Sequence, residues 1–117
     1  MHRYKELKVW QKSMDLAEQI YQMTKDFPKE EKYGLTSQLR KCAMSIPSNI
    51  AEGAGRNTDK DFSRFLDVSV GSLFELETQI LLSARVGFLS EEHRNQITDE
   101  VSQIHAMLIG LKKTLNK

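Results

Sequence analysis

The residues best suited to metal or acid–base chemistry in this sequence are its three histidines, and their spacing argues against a shared site. His2 lies at the start of the chain, while His93 and His105 are twelve positions apart. On a helix that separation places the two rings about 120° apart. The sequence contains no H-E-x-x-H motif, no C-x-x-C motif and no Gly-rich phosphate loop. We therefore expect structural roles for the histidines and no metal site.

A thiol and a pair of carboxylates are weaker candidates for catalysis. Cys42 is the only cysteine and has no histidine near it in sequence, so a small buried side chain is the better explanation. A single cysteine also excludes an internal disulfide, which is typical of a reducing compartment. Glu52 and Glu75 lie on two predicted helices, and neither helix carries the Glu-x-x-His motif of di-iron bundles.

Ribonuclease chemistry of the helical HEPN type is also disfavoured. Those enzymes carry a histidine at a short spacing after an arginine, and neither Arg85 with His93 nor Arg94 with His105 has that spacing. We therefore expect a protein that is not an enzyme and that needs no cofactor.

Five basic residues of the central region are candidates for contacting nucleic-acid phosphates: Arg40, Lys41, Arg56, Lys60 and Arg64. The last three recur at i, i+4 and i+8, so they can share one side of a helical stretch. Acidic residues are interspersed among them and the net charge is only +1, so the alternative is an ordinary solvated surface. They include no aromatic platform on which bases could stack, which indicates contact with phosphates rather than recognition of bases.

The elements that must position these residues are helices. A chain of 117 residues, 28% charged and 39% hydrophobic, is typical of one soluble domain, here residues 1–117. We expect an all-α fold. Short connections between four helices favour an antiparallel up-down-up-down four-helix bundle. The hydrophobic pattern predicts helices from about Lys8 to Asp26, Leu35 to Gly53, Thr58 to Val86, and from the cap Ser90 to Leu115.

The stretch SIPSNIAEGAG, from residue 45 to residue 55, organises the centre of the chain. Pro47 lacks a backbone N–H, so the second helix should be kinked there. Gly53 and Gly55 predict the end of that helix, and Thr58 predicts the cap of the next. Gly71 lies inside the third helix, which suggests that another backbone approaches it closely.

Two rows of mostly polar residues run beside the apolar stripes of the second and third helices. Their low charge density predicts that they are buried against protein, where each polar group needs a partner. The predicted polar network consists of Gln38, Ser45, Asn49, Glu52, Ser72, Glu75 and Gln79.

Apolar residues outside the core stripes predict a homo-oligomer, because a monomer would expose them. They are Trp10, Tyr21, Tyr33, Phe65, Phe74, Leu81 and Phe88. No apolar run approaches the length needed to span a bilayer, and the N-terminus has no apolar region of a signal peptide. We expect a cytoplasmic protein with no membrane partner.

Several of these motifs together resemble one family along nearly the whole chain. They are Leu7-Lys-Val-Trp-Gln11 with Asp15-Leu, Phe27-Pro28, Tyr33 to Arg40, Ser45 to Gly53, Phe65-Leu66, and Gly71-Ser72 with Glu75-Leu-Glu77. In these motifs the chain resembles the four-helix-bundle proteins encoded by intervening sequences in bacterial 23S ribosomal RNA genes. Cys42 stands where such proteins often have a small residue.

The resemblance implies a helical bundle that assembles as a ring, with a pentamer as the expected size. The related accessory variability determinant proteins of diversity-generating retroelements are similar rings that bind nucleic acid and a reverse transcriptase. The resemblance therefore favours a nucleic-acid-binding accessory factor, for RNA or DNA, with a possible protein partner. The alternative is a protein-interaction scaffold with no nucleic-acid role. The two differ in whether the basic residues converge on one face or scatter among acids.

Overall fold

The computed structural model describes residues 2–116, and all of its regular structure is helical within that range. Short 3-10 turns at Tyr4–Glu6 and Lys29–Glu31 precede the first and second helices. The predicted all-α class and the four predicted helices are confirmed. The helices are α1 at Lys8–Thr24, α2 at Leu35–Ala54, α3 at Asp59–Arg85 and α4 at Glu91–Leu115.

The helix ends follow from local chemistry. The Thr58 hydroxyl accepts a hydrogen bond from the Asp61 amide at 3.1 Å, and the Ser90 hydroxyl accepts one from the His93 amide at 3.1 Å. Both residues are therefore N-caps, as their types predict. After α3, Gly87 takes a positive φ of 86°, a conformation that glycine adopts without a steric penalty.

One hydrophobic core runs along the bundle. Each helix contacts the next along the chain, and α1 also contacts α4, whereas no Cα atoms of the diagonal pairs α1–α3 and α2–α4 lie within 8 Å in residues 2–116. The four helices therefore stand at the corners of a square in chain order. Fully buried side chains from all four fill the centre, among them Leu16, Ile20, Leu39, Ile46, Ile50, Phe62, Leu66, Leu73, Leu76, Ile80, Ile104 and Leu108.

The close approach between backbones occurs at a different glycine from the one predicted. Nothing lies within 4 Å of the position that a Cβ would occupy at Gly71. At Gly53 a Cβ would lie 2.6 Å from the Phe65 Cβ and 2.9 Å from Phe62 Cδ1. Within one chain, the predicted close approach of another backbone to Gly71 is therefore wrong. A glycine inside a helix does not by itself show that another helix packs against that position.

Pro47 is buried inside α2, which continues through it to Ala54. The kink at Pro47 and the alternating direction of the helices stay predictions. None of the helices in the described part of the chain is long and apolar enough to cross a membrane.

Candidate nucleic-acid interface and polar seam

The turn between α2 and α3 brings two of the five predicted basic residues to one aromatic ring, and a third lies between them in sequence. The guanidinium carbon of Arg56 lies 4.8 Å from the centroid of the Phe65 ring, and that of Arg64 lies 5.9 Å from it. Lys60 lies between them in sequence, in the first turn of α3, and is exposed. We call Arg56, Lys60 and Arg64 the cationic cluster.

Sequence reasoning did not associate Phe65 with this cluster. The available signal was helical spacing, because Arg56 follows Glu52 of the predicted polar network by four positions and Phe65 precedes Ser72 of that network by seven. An aromatic face attracts a guanidinium, which limits the directions that the arginine side chain samples. The structure thus supplies the aromatic neighbour that the five basic residues by themselves lack.

Carboxylates accompany both arginines of the cluster. Arg56 forms an ion pair with Glu52 at 3.8 Å, and Arg64 forms one with Asp61 at 3.5 Å. These pairs are exposed, so each contributes little to stability and exchanges readily with solvent ions. No carboxylate of residues 2–116 lies within 4.0 Å of the Lys60 ammonium.

Arg40 and Lys41 do not join the cluster. They lie near the start of α2, about 20 Å along the helix from its end. The Arg40 guanidinium stacks over the Tyr21 ring at 4.8 Å and donates to the Thr24 hydroxyl at 2.9 Å. Its side chain therefore ties α2 to the last turn of α1, whereas Lys41 is exposed.

The polar rows of α2 and α3 meet along a line that we call the polar seam. The hydroxyls of Ser45 and Ser72 lie 2.8 Å apart and join the two helices. Asn49 donates to the Ser45 carbonyl at 2.8 Å and to its hydroxyl at 3.0 Å. Below the seam, the buried Ser69 hydroxyl donates to the Ile46 carbonyl at 2.9 Å, a contact that the sequence did not predict.

Farther along the seam, Cys42 lies beside Glu75 and Gln79. Burial raises the pKa of the Cys42 thiol to about 11, and a hydrogen bond toward Glu75 together with that residue's charge acts in the same direction. The Gln79 side-chain oxygen is buried without a hydrogen-bond partner among the described residues. This thiol is therefore poorly suited to nucleophilic chemistry.

The structure brings only part of the predicted polar network together within one chain. Ser45, Asn49 and Ser72 are half-buried and bonded to one another. Gln38, Glu52 and Glu75 are exposed. Whether a second copy covers these groups stays a prediction.

The histidines are dispersed, as their spacing predicts. His2 packs against the Phe62 ring at 4.9 Å, and its Nε2 lies 3.4 Å from Asp59 Oδ1. His105 packs against Phe74 at 5.0 Å, and His93 lies in the groove between α1 and α4. Each therefore has its own local surroundings.

The predicted extra apolar residues differ in their exposure. Tyr21, Tyr33, Phe74 and Leu81 are exposed, as predicted. Trp10 and Phe88 pack against the core instead, because Tyr4 and Phe27 provide aromatic neighbours at 5.2 Å and 5.7 Å. Phe65 is half-buried under the cationic cluster. Exposed apolar side chains that the sequence did not single out are Met14, Met44, Val68, Leu82 and Val86.

Comparison with a solved structure supports the fold. The crystal structure of a protein of unknown function from the S23 ribosomal protein family of Bacteroides thetaiotaomicron superposes with a TM-score of 0.80. The match covers 90% of this chain and 98% of that chain at 23% sequence identity, and at this identity it shows the fold alone. No curated protein sequence matches the chain.

The family is shown by the sequence itself. Residues 5–110 match the family described as 23S rRNA-intervening sequence protein, which is most of the chain. That family is the one that the sequence motifs resemble. The chain therefore belongs to the 23S rRNA-intervening sequence protein family.

Proposed function

We propose that the protein is a non-enzymatic homo-oligomer that binds nucleic acid through its phosphates, with Arg56, Lys60 and Arg64 as the contacts. The observation that carries the proposal is the placement of Arg56 and Arg64 beside the same Phe65 ring, with Lys60 between them in sequence. Cations grouped in one stretch of the chain can neutralise neighbouring phosphates together, whereas scattered cations cannot.

The ion pairs of the cluster do not prevent such binding. Glu52 and Asp61 hold the arginines through exposed contacts of 3.8 Å and 3.5 Å, and a phosphate can replace an exposed carboxylate at small cost. Stacking on Phe65 also reduces the side-chain entropy that Arg56 loses on binding. A single cluster would bind weakly, so several copies in one assembly are part of the proposal.

We propose the assembly because of the exposed apolar side chains, and we propose its size of five subunits because of the family resemblance.

Within each copy we infer that the helices alternate in direction and that Pro47 bends α2. Four residues connect α2 to α3 and five connect α3 to α4, which is short enough to favour antiparallel neighbours.

The proposal is tested by measuring binding to single-stranded and duplex RNA and DNA at several salt concentrations. The family's description makes RNA the first probe. The variant Arg56→Ala/Lys60→Ala/Arg64→Ala should weaken binding and flatten the log–log salt slope by about 0.7–0.9 for each phosphate that it no longer neutralises. The matched control, Lys25→Ala/Lys29→Ala/Lys32→Ala, also removes three positive charges. These lysines lie between α1 and α2 rather than at the turn between α2 and α3, so this variant should keep most of the salt slope.

A protein-interaction scaffold is the second candidate. It is favoured by the acidic partners of Arg56 and Arg64 and by the exposed apolar side chains, because such surfaces bind protein. If the wild-type protein binds neither RNA nor DNA at low salt, the scaffold function replaces the nucleic-acid function. An equal decrease in binding in the cluster variant and the control would likewise contradict a specific role for the cluster.

A further inference from the structure

The 3-10 turn at Tyr4–Glu6 packs beside the end of α2 and borders a mostly apolar groove. Residues 2–6 line this groove together with Ala51 and Gly55. Its volume is about 440 Å³, which lies within the range of sites that bind small molecules. Ala51 and Gly55 carry at most a methyl group, so they leave room for a flat ring. We call this surface the N-terminal groove.

Specific contacts hold the lining residues in place. The His2 amide donates to the Ala54 carbonyl at 2.9 Å, and the His2 ring packs against Phe62 at 4.9 Å. On the other side of the turn, the Gln11 side chain donates to the Lys5 carbonyl at 2.8 Å. The groove is therefore already formed in the free protein, as binding sites for small groups usually are.

An aromatic ring and two cations lie together at the groove. Tyr4 is half-buried, and its ring meets that of Trp10 at 5.2 Å and 69°. The Lys5 ammonium lies 6.0 Å from the centroid of the Tyr4 ring, and the exposed Arg3 pairs with Glu6 at 3.5 Å. A ring beside cations is the combination that binds a single strand, because bases stack on the ring while the cations neutralise phosphates.

The N-terminal groove adjoins the cationic cluster. Gly55 lines the groove, and the Cα of Arg56 follows that of Gly55 at the usual distance of about 3.8 Å. His2 Nε2 lies 3.4 Å from Asp59 Oδ1, and Asp59 directly precedes Lys60. The two surfaces therefore meet at the turn between α2 and α3, where one strand can contact both.

We propose that the N-terminal groove receives one unpaired base of the nucleic acid whose phosphates bind the cationic cluster. The inference rests on the proposed function and adds a contact that selects single strands. A base in a duplex is paired and stacked, so it reaches such a groove only after a costly extrusion. Stacking needs only the face of a base, so the contact tolerates any sequence. Tyr4 thus supplies the stacking surface that the five basic residues lack.

The test fills the groove or removes its ring. Ala51→Leu fills the groove with a residue that suits a helix, and Ala106→Leu, at an exposed position of α4, is the matched control. Tyr4→Leu removes the ring, whereas Tyr4→Phe keeps it. Dissociation constants are measured at low salt for a single-stranded oligonucleotide of mixed sequence and for its duplex, first as RNA and then as DNA. Circular dichroism checks folding, and light scattering checks molar mass.

Ala51→Leu and Tyr4→Leu should each weaken binding of the single strand about fivefold or more, the effect of losing one stacked base. Both should bind the duplex as the wild type does. Tyr4→Phe and Ala106→Leu should keep the wild-type affinity for both forms.

Three results would overturn the base contact while leaving the cationic cluster as a phosphate site. The first is a groove variant that binds the single strand as tightly as the wild type. The second is an equal loss for single strand and duplex. The third is a groove variant of altered molar mass, which would show that another copy covers the groove. A wild type that binds neither RNA nor DNA would instead overturn the proposed function itself.

Discussion

The Cα of Gly53 faces the Cβ of Phe65 so closely that a methyl group at residue 53 would lie 2.6 Å from it. The end of α2 and the start of α3 therefore meet with only a hydrogen atom between them. Phe62 Cδ1 would lie 2.9 Å from the same methyl group. The ring of the same Phe65 lies beside Arg56 and Arg64.

Replacing Gly53 should therefore have the opposite effect to replacing Gly71. Gly53→Ala should lower the free energy of unfolding by about 1–3 kcal/mol, the usual cost of overpacking. Gly71→Ala should raise it by roughly 0.5–1 kcal/mol, because that helical position is open and alanine restricts the unfolded chain. Urea denaturation measures both changes. Effects of the same sign would contradict the packing described.

The buried hydroxyl of Ser69 should contribute to the pairing of α2 with α3. It donates to the Ile46 carbonyl at 2.9 Å, next to Pro47. Ser69→Ala should cost about 1 kcal/mol, the typical net value of such a bond. Ser102→Ala, at an exposed position of α4, is the control and should change stability by less than about half that amount. Equal effects in urea denaturation would argue against the bond.

The Cys42 thiol should make stability depend on pH in alkaline solution. Burial raises its pKa from the usual 9.0 to about 11, so between these values the unfolded chain loses the proton while the folded chain keeps it. The folded state then binds more protons, and the free energy of unfolding falls as pH rises through this window. Below pH 9.0 the contribution is fully present.

The measurement compares wild type with Cys42→Ala by urea denaturation across that window. Lysine and tyrosine titrations are common to both proteins, so the difference between the two curves isolates the thiol. The stability of the wild type should decline more steeply with pH. Parallel curves would show that the thiol of the folded protein ionises as it does in the unfolded chain.

Helix positions and caps are predictable from the sequence because they depend on neighbours along the chain. The period of the apolar residues predicts the four helices, and Thr58 and Ser90 cap the helices that follow them. Apolar residues that recur at helical spacing, such as Ile46 and Leu73, are buried. The family can be recognised for a related reason, since its motifs are local.

Contacts between helices are harder to predict. Periodicity indicates which side of a helix faces the core, but not which residue of the next helix lies opposite. For this reason the sequence predicts the close approach at Gly71, whereas it occurs at Gly53. For the same reason the sequence does not predict that the Arg40 side chain contacts Tyr21 and Thr24 on α1.

Homo-oligomerisation is the claim on which the nucleic-acid proposal depends, because a single copy would bind phosphates weakly and would leave apolar side chains such as Phe74 and Leu81 exposed. The molar mass of the wild-type protein by light scattering at micromolar concentration tests it most directly. We predict a mass of at least twice 13.5 kDa, and five times that value if the resemblance extends to the subunit number. A mass of 13.5 kDa across that concentration range would contradict the account.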